Sequence, residues 1–259
     1  MASFSYDVLG NIAIIKFSEK IPKKGKINYA KSLMQNNPRI KTIVEKAGKV
    51  RGRLRTIKTN YLTGEKTLIA DYIENGCRFR FNIETCYFSP RLSNERKEIA
   101  DRVKKNEKVL VMFAGVAPFS VVIAKKSKAK EVYSIELGRE CSKYAEENVK
   151  LNKISNVHII QGDVKRIIPM LAKKRIKFDR IVMPRPQLKD TFLKYTFMAA
   201  KKHTEINYYG FGNDAEEIIS SIKDDAKRYK KKIKILNVKK AGDIAPYKYR
   251  WRADMQVMN

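Results

Sequence analysis

The stretch that decides the fold is "EKVLVMFAGVAPFSVVIAKKSKAKEVYSIEL", residues 107–137. An apolar run, a turn around a glycine and a helix-forming segment are followed by a second apolar run, which is the pattern of a strand–helix–strand unit. The same alternation continues to the end of the chain. Repeated units of this kind predict a parallel sheet covered by helices, with ligands at the carboxyl ends of its strands. The expected fold class is therefore α/β, with a Rossmann-like domain.

The first strand-to-helix turn, "MFAGVAPFS" at residues 112–120, indicates which ligand the sheet binds. It lacks the G-x-G-x-x-G spacing of dinucleotide-binding turns and the GK[ST] of a Walker A loop. Glu136 ends the second strand, where a carboxylate accepts hydrogen bonds from ribose hydroxyls, and Asp163 ends the third strand, where it can meet an adenine amino group. Together these features favour S-adenosylmethionine over NAD. The alternative is that each acid only caps the following helix.

Composition points to a polyanionic partner. The 259 residues carry a formal net charge of +29, and the excess is spread over the chain, with +11 in residues 1–100 and +18 in the remainder. Nucleic acid is the natural partner for this charge, although a lysine-rich composition is also typical of adaptation to heat. The sequence has no apolar run long enough to span a membrane, no signal-peptide pattern, and no metal-ligand spacing among its cysteines and histidines. We expect a cytoplasmic monomer without a metal.

The first part of the chain is organised differently from the remainder. Residues 7–18 predict a strand pair with a turn at Gly10-Asn11. Residues 28–46 have apolar side chains at helical spacing on both sides of Pro38, which predicts two short helices.

Residues 48–88 switch to a two-residue period. This pattern predicts an antiparallel sheet, with turns at Thr63-Gly64 and Asn75-Gly76. The sequence thus predicts a smaller α+β domain for substrate recognition over residues 1–88, followed by the Rossmann-like domain over residues 89–259.

From about residue 3 to its end the chain resembles the archaeal and eukaryotic tRNA guanine-37 N1-methyltransferases. The blocks that carry the resemblance are "ENGCRFRFNIETCYFSPRLSNER", "VMFAGVAPFS", "IEL", "GDV", "FDRIVMPRP" and "VKKAGDIAPYKYRWRADM". The chain is most similar to the archaeal branch, in which some members also methylate C7 of the wyosine precursor 4-demethylwyosine. The resemblance implies a class I S-adenosylmethionine-dependent methyltransferase domain that acts on the tRNA anticodon loop. The small additional N-terminal domain that family members usually carry is expected to be absent.

The resemblance implies two catalytic side chains. Glu95, in "SNER", is implied to remove the N1 proton of guanine, and Arg55, in "GRLRT", to stabilise the negative charge left near O6. Ser93 or Asn94 is expected to cap a helix, with Glu95 in its first turn. The helix dipole and the neighbouring arginines act against a basic carboxylate, so desolvation by the docked nucleotide has to compensate.

The resemblance also implies contacts to the RNA. Arg91 and Arg96 are implied to bind the anticodon-loop backbone or the carboxylate of the cofactor, and Tyr87 to brace or stack on the target base. The basic stretches "KVRGRLR" and "KYRWR" are expected to contact phosphates, with Trp251 as a further stacking face.

The residues implied to line the cofactor follow the first four strands of the Rossmann-like domain. They are Arg96, Phe113, Ala114, Gly115, Val116, Pro118, Phe119, Glu136, Leu137, Asp163, Val164 and Pro184. Three positions depart from the family pattern. Val111 stands where the family often has an acidic residue, Ala117 where it has a glycine, and Pro184 where many members have an asparagine. Proline has no N–H and no side-chain donor, so a backbone carbonyl, Arg185 or Arg55 has to replace that asparagine at the target base.

Other functions fit the sequence less well. An RNA cytosine-C5 methyltransferase needs a nucleophilic cysteine after the fourth strand, and "MPRPQ" contains none. A protein or metabolite methyltransferase has no need of the large positive charge. A non-catalytic RNA-binding protein that keeps the fold stays open as the alternative. The sequence therefore predicts a tRNA methyltransferase of guanosine 37 at N1, with C7 methylation of 4-demethylwyosine to isowyosine as a second activity.

Overall fold

The computed structural model describes residues 4–184 and 188–259. The chain forms two compact units, Met1–Pro90 and Arg91–Asn259. The sequence boundary of residue 88 thus falls close to the end of the first unit.

The first unit contains a four-stranded sheet and one helix. Strands β1 (Tyr6–Leu9), β2 (Ile12–Ile15), β3 (Thr42–Arg51) and β4 (Thr56–Gly64) lie in that order, and helix α1 (Lys23–Gln35) joins β2 to β3. The β1–β2 pair is antiparallel, which confirms the predicted hairpin at Gly10-Asn11. Gly10 has a φ of +60°, and a Cβ built on it would lie 1.8 Å from the carbonyl oxygen of Asp71, so only glycine fits there.

Two predictions for the strands and turns of this four-stranded sheet were wrong. The second helix predicted within residues 28–46 is instead the start of β3, where Ile43 and Val44 are both buried and pair with strands on either side. Pairing with two neighbours outweighs a short helical pattern, especially for β-branched side chains. Gly64 ends β4 and is not at a hairpin turn; the β3–β4 turn lies at residues 52–55, where the Arg55 N–H donates to the Gly52 carbonyl at 3.2 Å.

Strands β5 (Ile69–Glu74) and β6 (Cys77–Asn82) form a separate two-stranded antiparallel sheet. The single sheet predicted over residues 48–88 is therefore two sheets. The turn at Asn75-Gly76 is confirmed, and both residues have the positive φ that tight hairpins need, +50° and +72°.

The second unit is a helix-covered sheet with seven strands among the described residues. Its elements in chain order are α2 (Ser93–Arg102), β7 (Lys108–Met112), α3 (Pro118–Lys126), β8 (Glu131–Glu136), α4 (Arg139–Leu151), β9 (Val157–Gln161), α5 (Val164–Lys173), β10 (Phe178–Met183), α6 (Leu193–Ala199), β11 (Ala200–Gly212), α7 (Ala215–Arg228), β12 (Ile233–Ala245) and β13 (Lys248–Val257). The strand order is β12-β13-β11-β10-β7-β8-β9, and β13 alone runs antiparallel to its neighbours. The predicted α/β fold with alternating strands and helices is confirmed.

The sheet topology creates a crevice for a ligand. The chain leaves β7 through α3 to β8 on one side, whereas β10 lies on the other side of β7, so the order of connection reverses between β7 and β10. Ligands in open α/β sheets bind at the carboxyl ends of the strands beside such a reversal. The core beneath this edge is filled by buried side chains of β7 and β10, namely Leu110, Met112, Ile181 and Met183.

Candidate active site

The turn between β7 and α3 has an unusual backbone. Phe113, Gly115 and Ala117 all have left-handed φ values, at +57°, +58° and +62°. Ala117 takes the N-cap position of α3, and Pro118 begins the helix. Left-handed backbone at two residues with side chains is strained, and such strain concentrates at binding sites. The buried Asn148 side chain supports the turn by donating to the Val116 carbonyl at 3.0 Å, a contact that the sequence did not indicate.

Glu136 joins this turn to the next one. Its Oε2 accepts the Gly115 N–H and its Oε1 accepts the Gly138 N–H, both at 2.7 Å. Burial raises the pKa of the Glu136 carboxyl, while the N–H donors of Gly138, Gly115 and Leu137 act in the opposite direction. A carboxylate has about four lone-pair sites, so at least one acceptor position remains beside these three N–H groups. That position suits a ribose hydroxyl.

Two further residues extend this arrangement along the sheet edge. Leu137 follows Glu136 and is 36% exposed, so it offers an apolar surface beside the carboxylate. Asp163 lies after the neighbouring strand β9 and caps α5, with its Oδ1 accepting the Lys165 N–H at 2.9 Å. The capping alternative is therefore real for Asp163. Val164, the next residue, is buried.

The donor and acceptor groups of this edge fit a nucleoside with a diol. Three features follow one another from β7 to β8: the strained turn at residues 113–117, the Glu136 carboxylate that accepts the Gly115 and Gly138 N–H groups, and the exposed Leu137. S-adenosylmethionine has the ribose and the adenine that these groups suit.

Glu95 lies on α2, which packs against α3. The helix begins at Ser93 with Leu92 at the N-cap, and Leu92 has no capping side chain, so the predicted capping role of Ser93 or Asn94 was wrong. A short 3₁₀ turn over Pro90–Leu92 leads directly into the helix. Glu95 nevertheless lies in the first turn, as predicted, and its side chain is buried.

The Glu95 carboxylate is surrounded by three donors from three strands. Its Oε2 accepts the Tyr209 hydroxyl at 2.9 Å and the Arg252 Nη1 at 2.8 Å, and its Oε1 lies 3.0 Å from the Lys239 Nζ. Burial and the charge of Glu95 raise the pKa of Tyr209 well above its usual value, so the hydroxyl remains a donor. The cations beside Glu95 are therefore Lys239 and Arg252, whereas the sequence pointed to the arginines of α2.

Arg252 connects Glu95 to a wider set of charges. Its Nη2 contacts Glu98 at 2.5 Å and Asp254 at 3.1 Å, and Asp254 also accepts from Asn207 at 2.7 Å. Burial opposes a charged Arg252, but the carboxylates of Glu98 and Asp254 prevail and raise its pKa. The sequence did carry a signal for this cluster, because Arg252 and Asp254 are two residues apart in β13 and therefore share one face of the strand.

Acid should weaken this cluster in a way that can be measured. The hydrogen bond from Arg252 lowers the pKa of Glu98 from 4.5 to about 2. A carboxyl group whose pKa falls on folding stabilises the protein above its unfolded pKa and loses that effect as the pH falls through the folded pKa. The free energy of unfolding of Glu98→Gln should therefore lie below that of the unmodified protein at pH 7, and the two should converge between pH 4.5 and 2.

The difference at pH 7 should be about 1 kcal/mol or less, since the Glu98 side chain is two-fifths exposed and water screens the pair. Urea titrations at several pH values measure it. Asp101→Asn is the matched control, because Asp101 is on the same helix and pairs with the exposed Lys97. A difference for Glu98→Gln that stays constant down to pH 2 would contradict the expectation.

Arg96 and Phe119 lie between Glu95 and the β7–α3 turn. The Arg96 guanidinium is buried and sits 5.8 Å from the centre of the Phe119 ring. Phe119 belongs to the first turn of α3 and is 5.9 Å from the Tyr209 ring, which in turn donates to Glu95. The predicted base and the predicted cofactor turn thus share a layer of packed side chains in one unit.

Arg55 and Tyr87 meet within the first unit. The Arg55 guanidinium lies 4.1 Å from the centre of the Tyr87 ring, within the range of a cation–π contact. Arg55 has a left-handed φ of +57°, and its buried Nε has no hydrogen-bond partner among the described residues. Glu84 precedes Tyr87 in the same loop, and its Oε1 accepts the N–H of Thr59 in β4 at 2.6 Å. Tyr87 is 37% exposed.

The other predicted residues have diverse environments. Arg91 is exposed in the 3₁₀ turn, and Pro184 is half-buried directly after β10. Arg185 lies outside the described residues. The Trp251 Nε1 donates to the Gly212 carbonyl at 3.3 Å, and its ring packs edge-on against Tyr249, so part of its surface is occupied.

None of the helices described at residues 4–184 and 188–259 has the length and apolar character that a membrane crossing requires. Over the same residues, no group of histidine, cysteine and acidic side chains comes together as a metal site.

Two features define the class of protein as a class I S-adenosylmethionine-dependent methyltransferase. The sheet has one reversed strand, and Glu136, the acid that ends β8, holds the turn that follows β7. Residues 71–236 match the TRM5/TYW2 methyltransferase domain, and residues 2–67 match the TYW2 N-terminal domain. The chain belongs to the TRM5/TYW2 methyltransferase family.

Two relatives have names that describe an activity. The chain is 32% identical over 256 residues to tRNA (guanine(37)-N(1))-methyltransferase Trm5b of Pyrococcus abyssi, covering 98% of this chain and 74% of the relative. It is 32% identical over 302 residues to tRNA (guanine(37)-N(1))/4-demethylwyosine(37)-methyltransferase Taw22 of Nanoarchaeum equitans, covering 98% and 100%.

Two solved structures share the fold and contain ligands. A complex of aTrm5 with tRNALeu superposes with a TM-score of 0.87 at 28% identity, covering 99% of this chain and 72% of that chain. M. jannaschii TYW2 in complex with AdoMet superposes with a TM-score of 0.73 at 25% identity, covering 98% and 100%.

Proposed function

We propose that the protein transfers a methyl group from S-adenosylmethionine to N1 of guanosine 37 in tRNA. The observation that carries the proposal is the buried Glu95 carboxylate, on the helix that packs beside the one beginning at the cofactor turn. The named activities of the relatives Trm5b and Taw22 agree with it.

The cofactor is held by the edge of the sheet. Glu136 binds the ribose hydroxyls, Leu137 packs on the adenine, and Asp163 and Val164 lie at its amino edge. Arg96 and Pro184 complete the lining, together with the turn residues Phe113, Ala114, Gly115, Val116, Pro118 and Phe119. When bound, S-adenosylmethionine supplies an electrophilic methyl group, whose bond to sulfur breaks with its electron pair leaving on sulfur as the bond to N1 forms.

Glu95 acts as the general base. Guanine N1 carries a proton at neutral pH, so its lone pair becomes available for the new bond only when that proton is removed. Tyr209 and Arg252 hold the carboxylate in one orientation, and their burial supports this role. General-base catalysis of this kind contributes about 10²–10⁴ in rate.

Arg55 and Tyr87 bind the target base. Loss of the N1 proton leaves negative charge that is shared with O6, and the orphan Nε–H of Arg55 is a suitable donor for that oxygen. Tyr87 is an aromatic side chain that is 37% exposed, which is suited to bracing or stacking on a purine that has left its place in the anticodon loop. Arg91 contacts the RNA backbone or the carboxylate of the cofactor. A backbone carbonyl, Arg185 or Arg55 takes the role of the asparagine that Pro184 replaces.

The substrate is the anticodon loop of tRNA, which the protein binds as a monomer in the cytoplasm. The formal net charge of +29 favours an RNA partner whose phosphates it can neutralise. The neighbouring structure of aTrm5 with tRNALeu is consistent with this partner.

Methylation of C7 of 4-demethylwyosine at the same tRNA position is a second candidate activity. Two observations favour it, namely the double activity in the name of Taw22 and the proline at position 184. A rigid proline lining leaves room for a base larger than guanine.

Mass spectrometry of digested tRNA tests both activities. The protein is incubated with labelled S-adenosylmethionine and an unmodified transcript with guanosine at position 37, and we expect label in 1-methylguanosine. A transcript with adenosine at position 37 should stay unlabelled, and tRNA with 4-demethylwyosine tests the second activity. Binding of S-adenosylmethionine and tRNA without any methyl transfer would instead support the non-catalytic alternative.

A further inference from the structure

The two oxygens of the Glu95 carboxylate have different environments. Oε2 accepts two hydrogen bonds, from Tyr209 at 2.9 Å and Arg252 at 2.8 Å. Oε1 faces the Lys239 ammonium at 3.0 Å. A carboxylate oxygen has two lone pairs, so Oε2 is fully used while Oε1 has one ionic contact. A proton taken from a substrate therefore has to arrive at Oε1, which is the oxygen that Lys239 covers.

The three donors also differ in their freedom to move. Arg252 is completely buried and Tyr209 nearly so, and both lie on strands that have a paired neighbour on either side. The Lys239 side chain is 35% exposed, and its flexible stem extends from β12, the edge strand. Its second partner, Glu98 Oε2, is itself two-fifths exposed. Lys239 is therefore the donor that can leave without disturbing the core.

We propose that Lys239 covers the catalytic base Glu95 in the free protein and that the tRNA substrate displaces this cover. In the free protein its ammonium neutralises Oε1, and when tRNA docks it moves to a phosphate of the RNA and leaves Oε1 open to the N1 proton. The proposal rests on the proposed function. It makes Lys239 a positioning residue, because it acts through Glu95 and touches neither the target base nor the cofactor.

A phosphate is a strong competitor for this lysine. Charge-assisted hydrogen bonds to phosphate match those to carboxylate, and in the free protein Lys239 shares its carboxylates with Arg252. Arg250 and the exposed Lys248 alternate with Arg252 along β13 and so share its face of the hairpin. An RNA backbone that follows them passes close to Lys239, which pairs with Arg252. The charged and titratable groups that face Glu95 are Glu98 of α2, Tyr209 of β11, Lys239 of β12, and Arg252 and Asp254 of β13.

The proton balance is simple. The N1 proton passes to Oε1 as N1 bonds to the transferred methyl, and Glu95 returns it to water after the RNA leaves. Lys239 then moves back to the ionised carboxylate. The cover keeps a buried anion neutralised whenever substrate is absent, and a phosphate has to be in place before the base is open.

The proposal is tested by combining a substitution of Lys239 in the protein with the removal of single phosphate charges from the tRNA. Full-length tRNA is assembled by ligation with one uncharged methylphosphonate at each backbone position around nucleotide 37 in turn. For the unmodified protein we expect one position at which the single-turnover rate at saturating tRNA falls about tenfold, because Lys239 stays on Glu95. For Lys239→Met the rate should not fall at that position, since the base has no cover.

Lys239→Met should also raise the KM for unmodified tRNA severalfold without lowering kcat, as expected when one phosphate contact is lost. Lys239→Arg should restore the KM. Lys234→Met, on the exposed face of the same strand, is the matched control and should behave like the unmodified protein. If Lys239 had only a structural role, the methylphosphonate would change the rate equally in the unmodified protein and in Lys239→Met. That result would overturn the proposal that Lys239 covers Glu95. If the unmodified protein methylates no transcript at all, the proposed function fails instead.

Discussion

Replacing Glu95 by glutamine should lower the single-turnover rate of 1-methylguanosine formation by about 10²–10⁴. Glutamine has nearly the same shape, and its amide oxygen can keep the hydrogen bonds from Tyr209 and Arg252 that Oε2 accepts now. The amide nitrogen then takes the position of Oε1, where it cannot accept the N1 proton. The variant should therefore fold and bind both ligands, while the step that frees the N1 lone pair is lost.

Rapid-quench measurement with saturating tRNA and cofactor isolates this step from product release. Calorimetry with S-adenosylmethionine and filter binding with tRNA should give dissociation constants within about threefold of the unmodified protein. Glu98→Gln is the matched control, because Glu98 lies one turn further along α2 and contacts the same two cations. Its rate should change by less than tenfold. If Glu95→Gln kept full turnover, Glu95 would not be the base.

The Rossmann-like unit could be predicted from the sequence because its signals are local. Each parallel strand is a short apolar run followed by a turn and a helix, and Glu136 stands at the end of such a run. The left-handed turn at residues 113–117 was marked by its glycine and by Pro118. Local order along the chain is sufficient to place these residues at one edge of the sheet.

The surroundings of Glu95 could not be predicted in this way. Its partners Tyr209 and Arg252 lie 114 and 157 residues away in the sequence, and they meet it only because β11 and β13 pair beside α2. A two-residue period indicates that Arg252 and Asp254 share a face, but it does not say which carboxylate that face will meet. Long-range pairing likewise turned residues 42–46 into a strand where the local pattern predicted a helix.

Replacing Glu136 by alanine should raise the dissociation constant for S-adenosylmethionine at least 10²-fold, since two hydrogen bonds to a charged group contribute about 1.5 kcal/mol or more each. The substitution removes the proposed acceptor for the ribose hydroxyls. It also removes the acceptor shared by the Gly115 and Gly138 N–H groups, so the turns that follow β7 and β8 lose their connection. Both effects weaken binding of the cofactor, and neither touches the contacts of Glu95.

Calorimetry measures the cofactor affinity, and thermal unfolding shows whether the unit stays folded. Glu136→Gln separates the two effects, because its amide keeps one acceptor while its nitrogen faces a backbone N–H; its affinity should fall between those of the alanine variant and the unmodified protein. Glu131→Ala is the matched control, since Glu131 begins the same strand at the opposite edge of the sheet and pairs with Lys108. A folded Glu136→Ala that binds S-adenosylmethionine with unchanged affinity would show that this carboxylate does not hold the ribose.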